Sequence, residues 1–296
     1  MPVPSSDNRI AARRLAGLLE PVIGQVYFSP ECHAAYEALG FGPSSGLAGS
    51  VALPNGPAYF TSRGSVMGQV PGEVVAAAFA VFNPAAVVPS VTLGWTITDA
   101  PTICRARDVG ALAQLQRILG TPDELGRASE LLARMVEPLT PEGRPLFAGL
   151  RSLPDPDHAW GALWRAGDRL REYRGDCHTA SWISAGFDAV EIGLLTELWI
   201  GLPMKTYVRT RAWSEEQLDA GIERLTAAGL VAGGAFTDEG RERRGAVEQA
   251  TDRQMAPALS ALGDDADELF AILEPWGRSI REAGGYLKGA ADLHRG

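Results

Sequence analysis

A chain of 296 residues, 46% apolar and 21% charged, can bury one large core or two ordinary ones and has the composition of a globular protein. Its formal net charge of −9 counts against a nucleic-acid partner, because a duplex presents a dense row of phosphates. Three widely spaced cysteines, Cys32, Cys104 and Cys177, with no CxxC pair, exclude a disulfide framework and a zinc knuckle. They suit free thiols in the cytoplasm. The start, MPVPSSDNR, shows no basic stretch followed by an apolar core, so no signal peptide is expected. Val74–Val88 is apolar but short and interrupted by Asn83 and Pro84, so no membrane span is expected either.

In chain order, residues 1–8 are expected to be disordered, and a helix follows from about Arg9, with Ile10, Leu15, Leu18 and Leu19 on one side. Pro30–Leu39 is a second helix, with proline and Glu31 in its first turn. Gly40–Pro57, rich in Gly, Pro and Ser, reads as a long loop. Pro71–Phe82 is a helix apolar nearly all round, broken at Asn83-Pro84 and resumed over Pro84–Val91. Ala100–Leu119 and Asp123–Val136 are amphipathic helices, and Pro138–Pro156 is a proline-rich connection. In Ala159–Arg174, Trp160, Leu163, Trp164, Gly167, Leu170 and Arg171 form the inner stripe while Asp168, Arg169 and Glu172 face out, and Gly175 ends the helix. Thr179–Ile200 is helical again, with a break at Gly186. The expected fold class is mainly α: a helical N-terminal domain over 1–156, then a degenerate winged-helix domain over 157–296 with a minimal β-hairpin.

Residues 187–255 carry the order behind that last expectation. Val190–Ile200 is apolar, Gly201-Leu202-Pro203 is a turn, and Met204–Trp213 is a short helix. Ser214-Glu215-Glu216 then opens a helix with an N-cap and first-turn acids, running to Ala228 with Leu218, Ile222 and Leu225 inside. Ala232-Gly233-Gly234-Ala235 is a tight hairpin, and Phe236–Arg241 starts a long helix. Glu223–Val231 (ERLTAAGLV) and Phe236–Arg241 (FTDEGR) resemble the recognition-helix end and the helix after the wing in MarR-like regulators. Glu31–Leu39, Ser62–Pro84 and Leu170–His178 resemble an actinobacterial helix-turn-helix family. These resemblances imply a fold and nothing chemical.

In such a unit the second helix enters the major groove and the wing grips phosphate. Here Ser214–Ala228 holds Glu215, Glu216, Asp219 and Glu223 against Arg224 alone, and the hairpin carries no Lys or Arg. No nucleic-acid partner is therefore expected. DNA reading would require Lys205, Arg209, Arg211, Arg241, Arg243 and Arg244 to line one dimer face.

Phosphate-loop and HExxH motifs are missing, as is any two-His metal spacing, so no cofactor and no metal are expected. Three clusters remain. Arg174-Gly175-Asp176-Cys177-His178 sits where two helices are expected to meet, placing His178 in a first turn, where the dipole keeps the ring neutral. His178 and Asp176 are thus the catalytic candidates for acid/base chemistry, with Trp182 one turn on as an aromatic wall; a capping Asp176 and an ordinary half-buried His178 are the plainer alternative. Thr61–Gly68 offers Arg63 for a carboxylate or phosphate, or is a solvated turn. Tyr27, Phe28, Glu31, Cys32, His33 and Tyr36 form the third, with His33 expected on the surface. Arg63, Trp182, Arg174 and Asn83 are the candidate ligand-binding residues.

The reading that follows is a small-molecule-binding protein of specialised metabolism on a winged-helix scaffold that has lost DNA binding, with cofactor-independent proton transfer, cyclisation, isomerisation or hydrolysis open to it. A MarR-like ligand-responsive regulator and a protein–protein interaction module are the alternatives, and a homodimer is compatible with each.

Overall fold

Among the described residues, 6–287, the computed structural model contains fourteen α-helices and two small antiparallel hairpins, so the chain is mainly α. The expectation of disorder for residues 1–5 lies outside the described residues, and Ser6–Asn8 already belong to the first helix. The elements are α1 (Ser6–Ile23), α2 (Pro30–Leu39), β1 (Gly46–Ala48), β2 (Val51–Leu53), α3 (Gly56–Gly64), α4 (Gly72–Phe79), α5 (Pro84–Ile97), α6 (Ala100–Leu119) and α7 (Leu125–Val136). Then follow α8 (Pro145–Ser152), α9 (Gly161–Ser184), α10 (Ala189–Trp199), α11 (Glu215–Ala227), β3 (Val231–Ala232), β4 (Ala235–Phe236), α12 (Asp238–Gln254), α13 (Ala256–Leu262) and α14 (Ala266–Glu282). No described helix is long and apolar enough to cross a membrane.

Local chemistry sets the helix limits that were expected correctly. Ser29 caps α2 through the Cys32 amide, and Gly40 ends it in the left-handed region at φ 105°. Asp99 caps α6 through the Thr102 amide, with Pro101 in its first turn.

Five expectations fail. The Gly40–Pro57 segment is not all loop: it holds the β1–β2 hairpin, paired Leu47 to Ala52, and the start of α3. The connection 138–156 contains α8. His33 is buried, its Nε2 2.9 Å from the Tyr27 carbonyl, not on the surface. Most consequentially, α9 runs straight through Gly175 to Ser184. A mid-helix glycine costs about 1 kcal/mol relative to alanine, and burial of Tyr173, Cys177, Ser181 and Trp182 beyond it outweighs that. The helix is also buried on more faces than one stripe allows: Asp168 and Glu172, expected to face out, are 0% and 2% exposed.

Three apolar clusters organise the molecule. The main one joins α1, α2, α6, α7, α9, α13 and α14 around the fully buried Trp160 and Trp164, drawing on residues from Ala12 to Ile280. A second lies under α3, α4, α5 and α8, with Phe60, Phe79 and Phe82 edge-on or tilted to one another. The third fills the space between α10, α11, β3 and α12, from Trp182 to Val247. Gly240 lets α12 start against β3: a Cβ there would stand 1.9 Å from the Leu230 carbonyl oxygen.

Between α6 and α9 the main core holds a buried ion pair. Arg107 donates from Nη1 and Nη2 to the two oxygens of Asp168 at 2.7 and 2.9 Å, and both side chains are at most 1% exposed. Beside it, Arg165 and the Trp164 indole donate to Asp108 at 2.6 and 2.8 Å.

Candidate ligand cleft and helix-turn-helix surface

The continuous α9 places one face of its middle turns against α1 and α3. Between them opens a cleft of about 170 Å³, bordered by Arg63, Arg171, Glu172, Arg174 and Gly175 on one side and by Leu15, Leu19 and Glu20 of α1 on the other. Glu172 is the hub. Arg63 grips it with two parallel bonds, Nε to Oε1 at 2.9 Å and Nη2 to Oε2 at 2.7 Å. Arg171 Nη1 adds a third at 3.0 Å and the Tyr27 hydroxyl a fourth at 3.2 Å. Burial opposes ionisation of Glu172, but Arg63 and Arg171 outweigh it and bring the carboxyl down to about 2. Arg171 in turn holds Glu20 bidentately at 2.9 and 3.1 Å, and the Arg63 guanidinium stacks 4.5 Å from the Phe79 ring centre.

Arg174 closes the other end. Its Nη2 donates to Glu248 of α12 at 3.1 Å, and Glu248 also accepts from Arg244 at 2.8 Å. Arg244 reaches on to the Thr196 hydroxyl of α10 at 3.4 Å. A chain of polar and charged groups thus connects the cleft to α12 and α10.

The structure separates the remaining candidates. His178 sits about five turns into α9, not in a first turn, so the dipole argument for it falls. Burial, not the dipole, holds its ring neutral, lowering it to about 4 against the pull of Glu248. Its Nδ1 is 3.2 Å from the Thr251 hydroxyl, it belongs to the α9–α12 contact, and it does not border the cleft. Asp176 does not cap α9. Its Oδ2 accepts from the Phe147 amide at 3.1 Å at the start of α8, and burial pushes it up to about 7. Trp182 is buried in the third cluster, with its indole N–H unpartnered. Asn83 caps α5 through the Ala85 amide, and its Nδ2 donates to the Ala212 carbonyl at 2.9 Å and to Gln217 at 3.3 Å. The structure therefore brings together Arg63 and Arg174, and leaves His178, Asp176, Trp182 and Asn83 apart from them. Glu172, Arg171 and Glu20 were missed. Among the described residues no three His, Cys, Asp or Glu side chains stand close enough to hold a metal.

The surface of α11 follows from its capping. Ser214 accepts from the Gln217 amide, and the Gln217 side chain accepts from the Ser214 amide, completing a capping box. Gln217 also meets Asn83, and the Trp213 indole donates to the Val81 carbonyl at 3.0 Å. The N-terminal end of α11 is thereby docked on the α4–α5 turn. The nearby cations are already engaged: Lys205 pairs Glu215 and Asp219, Arg209 pairs Glu215 at 2.9 Å, and Arg224 pairs Asp188 and Glu191. Glu216 and Glu223 stay exposed. Arg244 is buried, Arg211 lies between the Phe82 and Tyr207 rings, and Arg243 donates to the Ala185 carbonyl at 3.0 Å.

A family model described as a helix-turn-helix family matches residues 12–287, nearly the whole chain. No curated protein and no solved structure matches.

Proposed function

The chain belongs to this helix-turn-helix family, and from that premise we propose that it binds a small molecule in the α1–α9 cleft and no longer reads DNA. The observation that carries the reading is the state of α11. In DNA-reading units the first residues of this helix touch base edges while flanking cations hold phosphates. Here Gln217 of the first turn is engaged in the capping box and on Asn83, and Lys205, Arg209 and Arg224 are spent on carboxylates of the same surface. A phosphate would have to displace those ion pairs and still meet Glu216 and Glu223. In the cleft, by contrast, Arg174 keeps donors that no carboxylate takes up, beside Arg63, Arg171 and an apolar wall, the kind of convergent polar lining that fixes a ligand.

The helix-turn-helix description of the family is compatible with a second reading, a ligand-responsive regulator of the MarR type. It requires Lys205, Arg209, Arg211, Arg241, Arg243 and Arg244 on one face, and the burial of Arg244 and the ring-stacked Arg211 counts against it.

The test is extraction of small molecules from the purified protein and from an Ala16→Trp variant, whose indole fills the cleft from α1. A compound carried by the wild type and missing from the variant is expected. Equal recovery from both, or none from either, would count against a ligand in this cleft.

A further inference from the structure

We propose that the α1–α9 cleft is a site for a small ligand carrying a carboxylate or phosphate group, with Arg174 as its ligand-facing donor; the inference rests on the reading that the cleft holds a small molecule. It starts from how the three arginines are used. Arg63 has all three nitrogens engaged, two on Glu172 and Nη1 on the Tyr59 hydroxyl at 3.3 Å. Arg171 likewise places all three on Glu20, Glu172 and Tyr27. Arg174 uses only Nη2. Its Nε is buried without a partner, and its Nη1 makes no hydrogen bond among the described residues. A guanidinium presents five N–H donors in a rigid fork that matches carboxylate and phosphate, and leaving buried donors unmet is unfavourable. Arg174 therefore stands at the cleft with binding capacity that the fold itself does not use.

Charge points the same way. Arg63, Arg171 and Arg174 face Glu20 and Glu172 around the cleft, leaving one net positive charge. On the far side, Arg13 and Arg244 balance Asp252 and Glu248. Burial keeps the Tyr27 and Tyr286 hydroxyls and the His178 ring neutral. A chain of net charge −9 thus keeps a positive cleft. Leu15, Leu19, Leu170 and Met255 make the rest of the wall apolar, which strengthens the attraction of an anion for the guanidinium groups. The size limits the occupant. At about 170 Å³ the cleft is smaller than sites that enclose drug-sized ligands, and it holds a small acid or a phosphate group. Gly175 keeps it open from the α9 side.

The test is calorimetric titration of the full chain with succinate and, separately, with inorganic phosphate, at constant ionic strength against a chloride reference. At least one is expected to bind with Kd below about 1 mM, and the one that binds tells carboxylate from phosphate. Arg174→Met should weaken binding roughly tenfold or more with an unchanged circular dichroism spectrum, since Glu248 keeps Arg244. Ala16→Glu, which removes no native ion pair, should abolish it by placing a carboxylate in the cleft. Binding no better than chloride, or affinity that survives both variants, would overturn the inference. A neutral compound excluded by Ala16→Trp, with neither anion bound, would leave the cleft a ligand site while removing its anion class.

Discussion

The two charged regions of this molecule use the same residue types to opposite ends. In the body, arginines from α3, α6 and α9 are drawn inside onto Glu172 and Asp168, and Arg174 is left with donors to spare. Around α11 the cations Lys205, Arg209 and Arg224 are each paired with acids of the same surface, and Glu216 and Glu223 are left in solvent. The net charge of the whole chain, −9, says nothing about this difference. What distinguishes the two regions is whether a cation's donors are exhausted by neighbouring carboxylates, and that decides which surface can still attract an anion.

Breaking each region in turn should give very different costs. Asp168→Ala strands Arg107 inside the core, and removal of one partner of such a pair typically costs about 3–5 kcal/mol. Urea denaturation should show a loss of that size; a loss under 1 kcal/mol would mean that the buried pair is not what holds α6 to α9.

The next effect is one of pH. Asp176, held at about 7 by burial against an ordinary 3.8, is raised in the fold. Its contribution is therefore full below the unfolded value and is lost as pH rises through about 7. Asp176→Asn removes this dependence, so the stability of the variant relative to wild type should rise by roughly 4 kcal/mol between pH 4 and pH 8. His178 and Glu172, both lowered, act in the reverse sense, losing stability as pH falls through about 4 and about 2, and leave that difference untouched. Parallel pH profiles for the two proteins would contradict the assignment.

The smallest effect belongs to α11. Glu215→Gln loosens exposed pairs with Lys205 and Arg209 and should change stability by less than about 1 kcal/mol, read as a shift in thermal midpoint. A larger loss would mean that these pairs hold the helix in place.

Much of the fold was legible because its limits are written locally. Ser29-Pro30 and Asp99-Ala100-Pro101 announce α2 and α6, and Ser214 announces α11. The course of α9 was not, because Gly175 carries a stop signal that only tertiary burial overrides. The cleft was half legible. Arg63 and Arg174 could be picked out as cations beside glycines, but Glu172 looked like an outward residue, since its partner Arg63 lies 109 positions away and no spacing rule joins them. The same error hid Asp168. An acid–arginine alternation on a helix with tryptophans on its other face was the available hint, and it reads equally well as a solvated stripe.

The claim that α11 has closed its reading face is tested most directly by fluorescence anisotropy with random-sequence duplex at low ionic strength, where phosphate attraction is strongest. No saturable binding tighter than about 10⁻⁴ M is expected. Saturable binding that weakens steeply with added salt and is lost on Arg209→Ala would contradict it, because Arg209 would then be serving phosphate and not Glu215.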